Sequence, residues 1–415
     1  MRILVLSFYF HPDLCAGSFR ATALVNSLRT LAPPGTEFDV LTTLPNRYRS
    51  FNANAQAIET HPGISIFRIA LPKHESGLFD QSRAFIAFAR GAIRYAAPRD
   101  YDMVFATSSR LMTAALAAIV ARRKGAKLYL DIRDIFVDTI KDVLSPKIAW
   151  AVKPIFSWLE RWTIGKANCV NLVSPGFSQY FSKRYPHRRF SYFMNGIDDE
   201  FVRAAPSYPG TEVAKEGRTL TVLYAGNLGE GQGLHTIIPQ LAKRMASRVR
   251  FVIIGDGGRK DALRMALSKA NVTNVEILPP VARDELLAAY QMAHVLFLHL
   301  NDYDAFKKVL PSKLFEYAAL GKPIWAGVSG YAAEFVNAEI TNAAVFYPRD
   351  AEGAMRSFDT LVIQDLPRTD FLVKYGRASI SQKMAEDLLE LAWTDSDDPA
   401  PKSLSQSSIK ANTGI

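Results

Sequence analysis

Lys313 and Glu316, three residues apart in VLPSKLFEYAALGKPIWAG (309–327), are of the right types to hold a phosphate and a ribose. Pro311 or Ser312 opens a predicted helix over 311–320, so Lys313 falls in the first turn, where the helix dipole disfavours a cation that has no anionic partner. Glu316 follows one turn later on the same side, where a carboxylate can accept from two vicinal hydroxyls. A surface Lys–Glu pair at i, i+3 has the same spacing and is worth only a few tenths of a kcal/mol. Two glycine turns add backbone donors: YAGNLGEGQG (224–233), with Gly226, Asn227, Gly229 and Gln232, and GDGG (255–258), with Gly255 and Asp256. Each closes an apolar run and opens a helix, the setting in which N–H groups hold phosphate. Neither has the G-x-G-x-x-G spacing or a following Walker lysine, and such turns also serve plain packing. Asp131, Arg133 and Asp134 end another predicted strand, where a carboxylate can act as base or orient an acceptor hydroxyl; a helix N-cap or an Asp–Arg structural pair accounts for them equally well. Asp302-Tyr303-Asp304 has a metal-binding spacing but reads better as a solvated loop. The seven histidines form no H-x-x-x-H, no G-x-S-x-G elbow exists, and Cys15 and Cys169 lack any zinc or disulfide spacing.

The elements that position these residues alternate. Apolar runs at 3–10, 37–43, 64–70, 103–108 and 127–132 are separated by helical patterns, including 18–31 and 109–123, which predicts a parallel sheet covered on both faces. The pattern restarts with strands at 219–226, 250–257, 275–279, 295–300, 323–327 and 344–348, and helices at 233–247, 259–270, 283–293 and 311–320. With 415 residues the chain is too long for one ordinary core. We expect an α/β protein with a Rossmann-like domain over 1–205, a second over 206–375, a helix over 376–395 and a disordered tail over 396–415. The hinge falls at the Pro- and Gly-rich stretch 204–218. Ligands of such sheets bind at the carboxyl ends of the strands, so a central cleft is expected to hold the site.

The tandem arrangement, the GNLG turn at 226–229 and PSKLFEYAALGKPI together resemble the GT-B glycosyltransferases of family 4, most closely the WbuB-like branch of bacterial polysaccharide and O-antigen assembly. SFYFHPDLCAGSFRA near the start, LDIRDIF at 130–136, the SPG and NGID stretches and a final helix after Tyr375 extend the likeness to about residue 393. The resemblance implies a carboxyl-terminal domain that binds a nucleotide-sugar, a last helix that crosses back to the first domain, and retention at the anomeric carbon. It gives Glu316 the ribose as the second glutamate of Glu-x7-Glu, whose first position is Lys308 here. The family's Arg and Lys for the donor diphosphate fall at Asn227 and Gln232, both uncharged, which leaves that charge to Lys313 and Arg20 with the backbone at Gly17 and Gly229. Ser312 and Val281 complete the expected donor set. Asp134 matches the aspartate of the branch's Arg-Asp-Leu-Trp, with Phe136 in place of the tryptophan. No catalytic metal or other cofactor is expected. Catalysis is assigned to Asp134 and Lys313, and the donor is expected to be a UDP-sugar. The other readings are a sugar-nucleotide 2-epimerase and a non-catalytic sugar-nucleotide-binding protein.

Charge completes the reading. The whole chain carries a formal +10, yet residues 1–205 hold 27 Lys+Arg against 16 Asp+Glu and residues 206–415 hold 23 against 24. The segments 83–99 and 147–167 of the basic half interleave cations with Phe85, Phe88, Tyr95, Trp150, Phe156, Trp158 and Trp162. No nucleic-acid signature accompanies them, so an anionic membrane surface is the expected partner, with helix-to-sheet packing as the alternative for each aromatic. No apolar run reaches the roughly 20 residues of a membrane span. Taken with the lipid-linked saccharide acceptor that the resemblance implies, these features lead us to expect a cytoplasmic protein attached peripherally to the inner face of the membrane.

Overall fold

The computed structural model describes residues 1–13, 15–45, 55–72, 78–108, 111–135, 137 and 146–393; the tail expected at 396–415, Phe136 and the Lys147 side chain lie outside the described residues. Most of the short apolar runs become strands buried on both faces, whereas β11 at a sheet edge is only half-buried. The first sheet comprises β1 (Arg2–Ser7), β2 (Glu37–Thr43), β3 (Ile58–His61), β4 (Ile64–Ile69), β5 (Met103–Ser108), β6 (Lys127–Ile132), β7 (Cys169–Leu172) and β8 (Arg189–Ser191). Their order is β3-β4-β2-β1-β5-β6-β7-β8, parallel except for the β3–β4 hairpin. The second comprises β9 (Leu220–Ala225), β10 (Val249–Ile254), β11 (Val275–Leu278), β12 (Val295–His299), β13 (Ile324–Gly327) and β14 (Ala343–Phe346), all parallel in the order β11-β10-β9-β12-β13-β14.

Alternation along each strand sends successive side chains to opposite cores. On β1, Leu4 and Leu6 enter one core while Ile3 and Val5 enter the other. On β9 and β13, Leu223, Ala225, Ile324 and Ala326 face one layer, and Val222, Tyr224 and Trp325 the other. Chain order reverses direction across β1 and β5 in the first sheet and across β9 and β12 in the second. These are the points where the carboxyl ends of a doubly wound sheet open a crevice.

The last helix, Arg377–Trp393, belongs to the first sheet in packing though it follows the second in sequence. Met384, Ala385, Leu388 and Leu389 share a core with Ile3, Val5, Leu24 and Tyr129. Asp387 on the same helix accepts from the Tyr129 hydroxyl at 2.7 Å and pairs with Arg189. Backbone bonds in both directions between Ile197 and the pair Tyr375 and Arg377 tie the two crossing segments together.

Several details differ from the sequence reading, among them β7 and β8, where the sequence analysis places no strand. The first strand ends at Ser7 rather than at residue 10, because Phe8 and Phe10 are buried in the turn that follows it. The β3–β4 hairpin went unseen, since β3 lies at the sheet edge with no buried residue and Ile58 60% exposed, so no apolar alternation marks it.

Candidate active site in the interdomain cleft

A cavity of about 280 Å³ opens between the sheets. Cys15, Ala16 and Phe19, at the start of the Ala16–Leu31 helix, form one wall. Gly226, Asn227, Gly255, Asp256, Val281, Ser312, Lys313 and Glu316 form the other, so eight of the expected donor residues converge there. They come from the carboxyl ends of β9 and β10, the segment after β11 and the Lys313–Ala319 helix.

The two glycine turns lie directly against each other. A Cβ at Gly255, where φ is +154°, would overlap the Gly226 carbonyl, and one at Gly257 would stand 2.6 Å from the Leu228 carbonyl carbon. Glycine is required at both places by contact as well as by backbone angle. The 226–233 turn is held from behind. Gln232 accepts from the Asn227 amide at 2.9 Å and from the Gly229 N–H at 3.3 Å. The two positions that would carry diphosphate-binding cations therefore form an amide pair, and the Gly229 N–H is directed to it rather than to the cavity. His299 completes the support: its Nδ1 donates to the Gln232 carbonyl at 2.7 Å and its Nε2 accepts from the Arg349 N–H at 3.1 Å. Burial lowers this imidazole to about 4, so it stays neutral in the tautomer those bonds demand.

Lys313 extends over the opposite side of the turn, its ammonium lying on Gly226 and 5.6 Å from the centroid of the Tyr224 ring. A Cβ at 226 would push this ammonium aside, and the backbone there, with φ of +142°, favours glycine. Glu316 is half-buried, and one long bond from the Tyr290 hydroxyl, 3.5 Å, reaches its carboxylate. Burial raises this carboxyl above the usual range, while Arg283 and Lys313 pull it back. A carboxylate so short of donors is suited to accept from a diol.

Arg20 and Asp131 do not face the cavity. Arg20 is 4% exposed and holds Asp131 through two bonds of 2.8 and 2.9 Å, while its remaining N–H groups reach the Phe193 and Met194 carbonyls. The guanidinium expected to meet the donor is instead the staple between the first helix and β6. Asp131 also accepts from Asn171 at 2.7 Å. Burial alone would raise its carboxyl, but Arg20 and these hydrogen bonds hold it below the usual range. Asp134, two residues past β6, is solvent-accessible, yet the surrounding protein pushes its carboxyl up to about 6 against the pull of Arg133. Asp302 accepts from the Tyr347 hydroxyl at 2.8 Å and Asp304 from Lys307 at 3.2 Å. Among the described residues no group of three His, Cys, Asp or Glu side chains is placed to hold a metal ion.

Sequence reasoning missed Arg283, which lines the cavity at the start of the Arg283–Met292 helix. Its guanidinium pairs with Asp198 and Glu200 and lies 4.0 Å from the centroid of the Phe19 ring, bridging the two walls. In sequence it looked like an ordinary residue of a helix start, and nothing local marks its long-range partners.

Two parallel-sheet domains meeting over such a cleft, the second offering glycine turns and a Lys–Glu helix, define the GT-B class of glycosyltransferases. Two family models match in series: "Glycosyl transferase 4-like domain" over residues 21–196 and "Glycosyl transferases group 1" over residues 211–378. The chain belongs to this family, the GT-B glycosyltransferases of family 4. A curated relative, the putative colanic acid biosynthesis glycosyl transferase WcaI of Escherichia coli K12, is 33% identical over 102 residues; the match spans 24% of this chain and 24% of that protein. Among solved structures, sucrose-phosphate synthase of Thermosynechococcus elongatus aligns with a TM-score of 0.71 at 13% identity, over 94% of this chain and 99% of that one. Anabaena HepE with UDP-glucose gives 0.63 at 14% (94% and 100%), and the lipopolysaccharide outer core galactosyltransferase WaaB gives 0.58 at 10% (94% and 100%). At these identities the structural likeness concerns the fold.

The Arg20–Asp131 staple yields a stability prediction. Asp131→Ala should cost about 3–5 kcal/mol in urea unfolding at pH 7, because it strands a buried guanidinium. The Asp131 carboxyl is depressed by folding, so its contribution is present above the unfolded value near 3.9 and disappears as pH falls through the folded one. The difference between wild type and variant should therefore shrink in acid.

Proposed function

We propose that the protein transfers a glycosyl group, with retention and without a metal ion, from a nucleotide diphosphate sugar to a lipid-linked saccharide in cell-surface polysaccharide synthesis. The observation that carries this reading is the cavity that places Lys313, Glu316 and two glycine turns opposite the first helix of the other domain. Glu316 accepts from the ribose hydroxyls. Lys313 meets the diphosphate, whose negative charge grows as it leaves. The acceptor hydroxyl attacks the anomeric carbon on the face from which the diphosphate departs. The bond from that carbon to the diphosphate oxygen breaks as the new glycosidic bond forms, and the hydroxyl proton passes to the departing oxygen. Asp134 orients the acceptor hydroxyl. UDP is the nucleotide to test first, given the UDP-glucose in HepE, and the WcaI and WaaB names support a polysaccharide or lipopolysaccharide pathway.

The lipid-linked acceptor calls for a membrane-facing surface, and the Pro146–Lys166 helix supplies one. Trp150 is 83% exposed and Ile155 and Trp158 are each 64% exposed, with Lys153, Arg161 and Lys166 exposed around them. Four of the other aromatics in these two segments serve packing: Phe88 is fully buried, and Phe85, Tyr95 and Trp162 lie against the same core. No helix among the described residues is long and apolar enough to cross a membrane. This face rests on anionic lipid at the cytoplasmic leaflet, with Trp rings at headgroup depth.

Three outcomes follow. Glu316→Ala should weaken nucleotide-sugar binding about tenfold or more, and Lys313→Ala should slow transfer by a similar or larger factor, measured as nucleoside diphosphate released only when lipid acceptor is present. Unchanged kinetics in both would remove the site assignment; inversion of a free sugar-nucleotide would point to an epimerase, and binding without turnover to a non-catalytic protein. If the Asp134 carboxylate orients the acceptor, the rate should rise through about pH 6, and Asp134→Asn should flatten that limb. Replacing Trp150 and Trp158 with Ala should reduce sedimentation with anionic vesicles while leaving turnover on a detergent-soluble acceptor unchanged.

A further inference from the structure

Arg133 lowers the Asp134 carboxyl but lies beyond the hydrogen bonds that staple Asp131 to Arg20. It follows β6, on which alternate residues share a face. Asp131 and Arg133 thus both turn toward the first helix, whose residues 17 and 20 lie one turn apart on the facing side. The inner rung pairs Asp131 with Arg20. The outer rung sets the Arg133 guanidinium against Gly17, where a Cβ would overlap Nη1. A ladder of ion pairs would place a carboxylate at 17; this chain has a glycine, so the guanidinium occupies the space of the missing side chain. Among the described residues Arg133 has no salt-bridge partner within 4.0 Å, and its Nε is buried without a hydrogen-bond partner. The neighbouring residues Cys15 and Ala16 line the cavity, and the helix they open has no side-chain cap and no acid in its first turn.

Arg133 is partly buried and lies in the field of Asp131 and Asp134, yet its buried Nε has no acceptor, a cost that an incoming anion would relieve. On the other wall, the positions expected to supply diphosphate-binding cations hold the amide pair Asn227 and Gln232. We propose that Arg133 supplies the missing charge from the opposite domain: its guanidinium binds a diphosphate that enters the cleft beside Gly17, with the free N–H groups of the helix start as further donors. The inference rests on the glycosyltransferase reading for the identity of the ligand, a diphosphate carried either by the donor or by a lipid-linked acceptor.

Calorimetric titration of wild type, Arg133→Gln, Arg133→Lys and Gly17→Ala with UDP, uridine, inorganic pyrophosphate and farnesyl diphosphate tests it. Arg133→Gln should weaken UDP and pyrophosphate roughly tenfold or more while uridine binding is unchanged. Arg133→Lys should recover part of the loss. Gly17→Ala, which displaces the guanidinium, should reproduce the loss in wild type and add nothing to Arg133→Gln. The ligand-free melting temperature of Arg133→Gln should not fall, whereas a purely structural arginine would lower it. Loss of farnesyl diphosphate binding with UDP unaffected would assign Arg133 to the acceptor's diphosphate. Pyrophosphate binding that depends on Arg133 in a protein that binds no nucleotide would keep this proposal and overturn the transferase reading. Equal affinity of wild type and Arg133→Gln for all three diphosphate-bearing probes would overturn the proposal.

Discussion

The buried pair between Arg20 and Asp131 is the constraint on which the site depends. It fixes the first turns of the Ala16–Leu31 helix against the end of β6, and Arg20 bonds to the Phe193 and Met194 carbonyls carry the constraint to the segment that leads toward the second domain. The cavity wall formed by Cys15, Ala16 and Phe19 is part of that helix start, and Arg133 and Asp134 continue directly from the strand it grips. An ion pair this deep contributes less to net stability than to geometry, since desolvation offsets most of its attraction. Here it holds one wall of the cleft in register with the other.

The second wall is organised by close approach rather than by charge. Gly226, Gly255 and Gly257 let two turns touch, Lys313 covers the first of them, and a neutral His299 braces the turn from below through the Gln232 carbonyl. The walls are joined by Arg283, which bonds to Asp198 and Glu200 and lies over Phe19, and by Arg377, which reaches Asp198 and the Gly196 carbonyl. Both bridges lie beside the place where the chain crosses between domains, so the charges that shape the cleft also restrain its hinge. The division of formal charge along the chain has a matching physical reading. The surplus of the first half includes the exposed cations around Trp150 and Trp158.

Much of this was legible in the sequence for identifiable reasons. Strands buried on both faces, such as β1, β5 and β12, announce themselves as apolar runs, and glycine turns at 226 and 255 stand out because they end those runs. Lys313 and Glu316 were legible because a lysine in a helix's first turn is unusual without a partner. What the sequence withheld depends on distant pairing. Arg20 looked like a free cation near a glycine, and its partner lies 111 residues away. Arg133 reads as one member of an Asp-Arg-Asp cluster, and only the fold shows that Asp131 gives its hydrogen bonds to Arg20 and leaves the Arg133 Nε without an acceptor. Arg283 gave no local signal at all. Edge strand β3 buries nothing, so it leaves no pattern.

The central claim is that one nucleotide-sugar lies across the cleft with its ribose on Glu316 and its diphosphate between Lys313 and the first helix. A crystal structure of the protein soaked with UDP or a UDP-sugar measures this directly. The account predicts ribose hydroxyls within hydrogen-bond distance of the Glu316 carboxylate and phosphate oxygens beside Lys313. Density for the nucleotide at another surface, or in the cleft with its ribose turned away from Glu316, would contradict it.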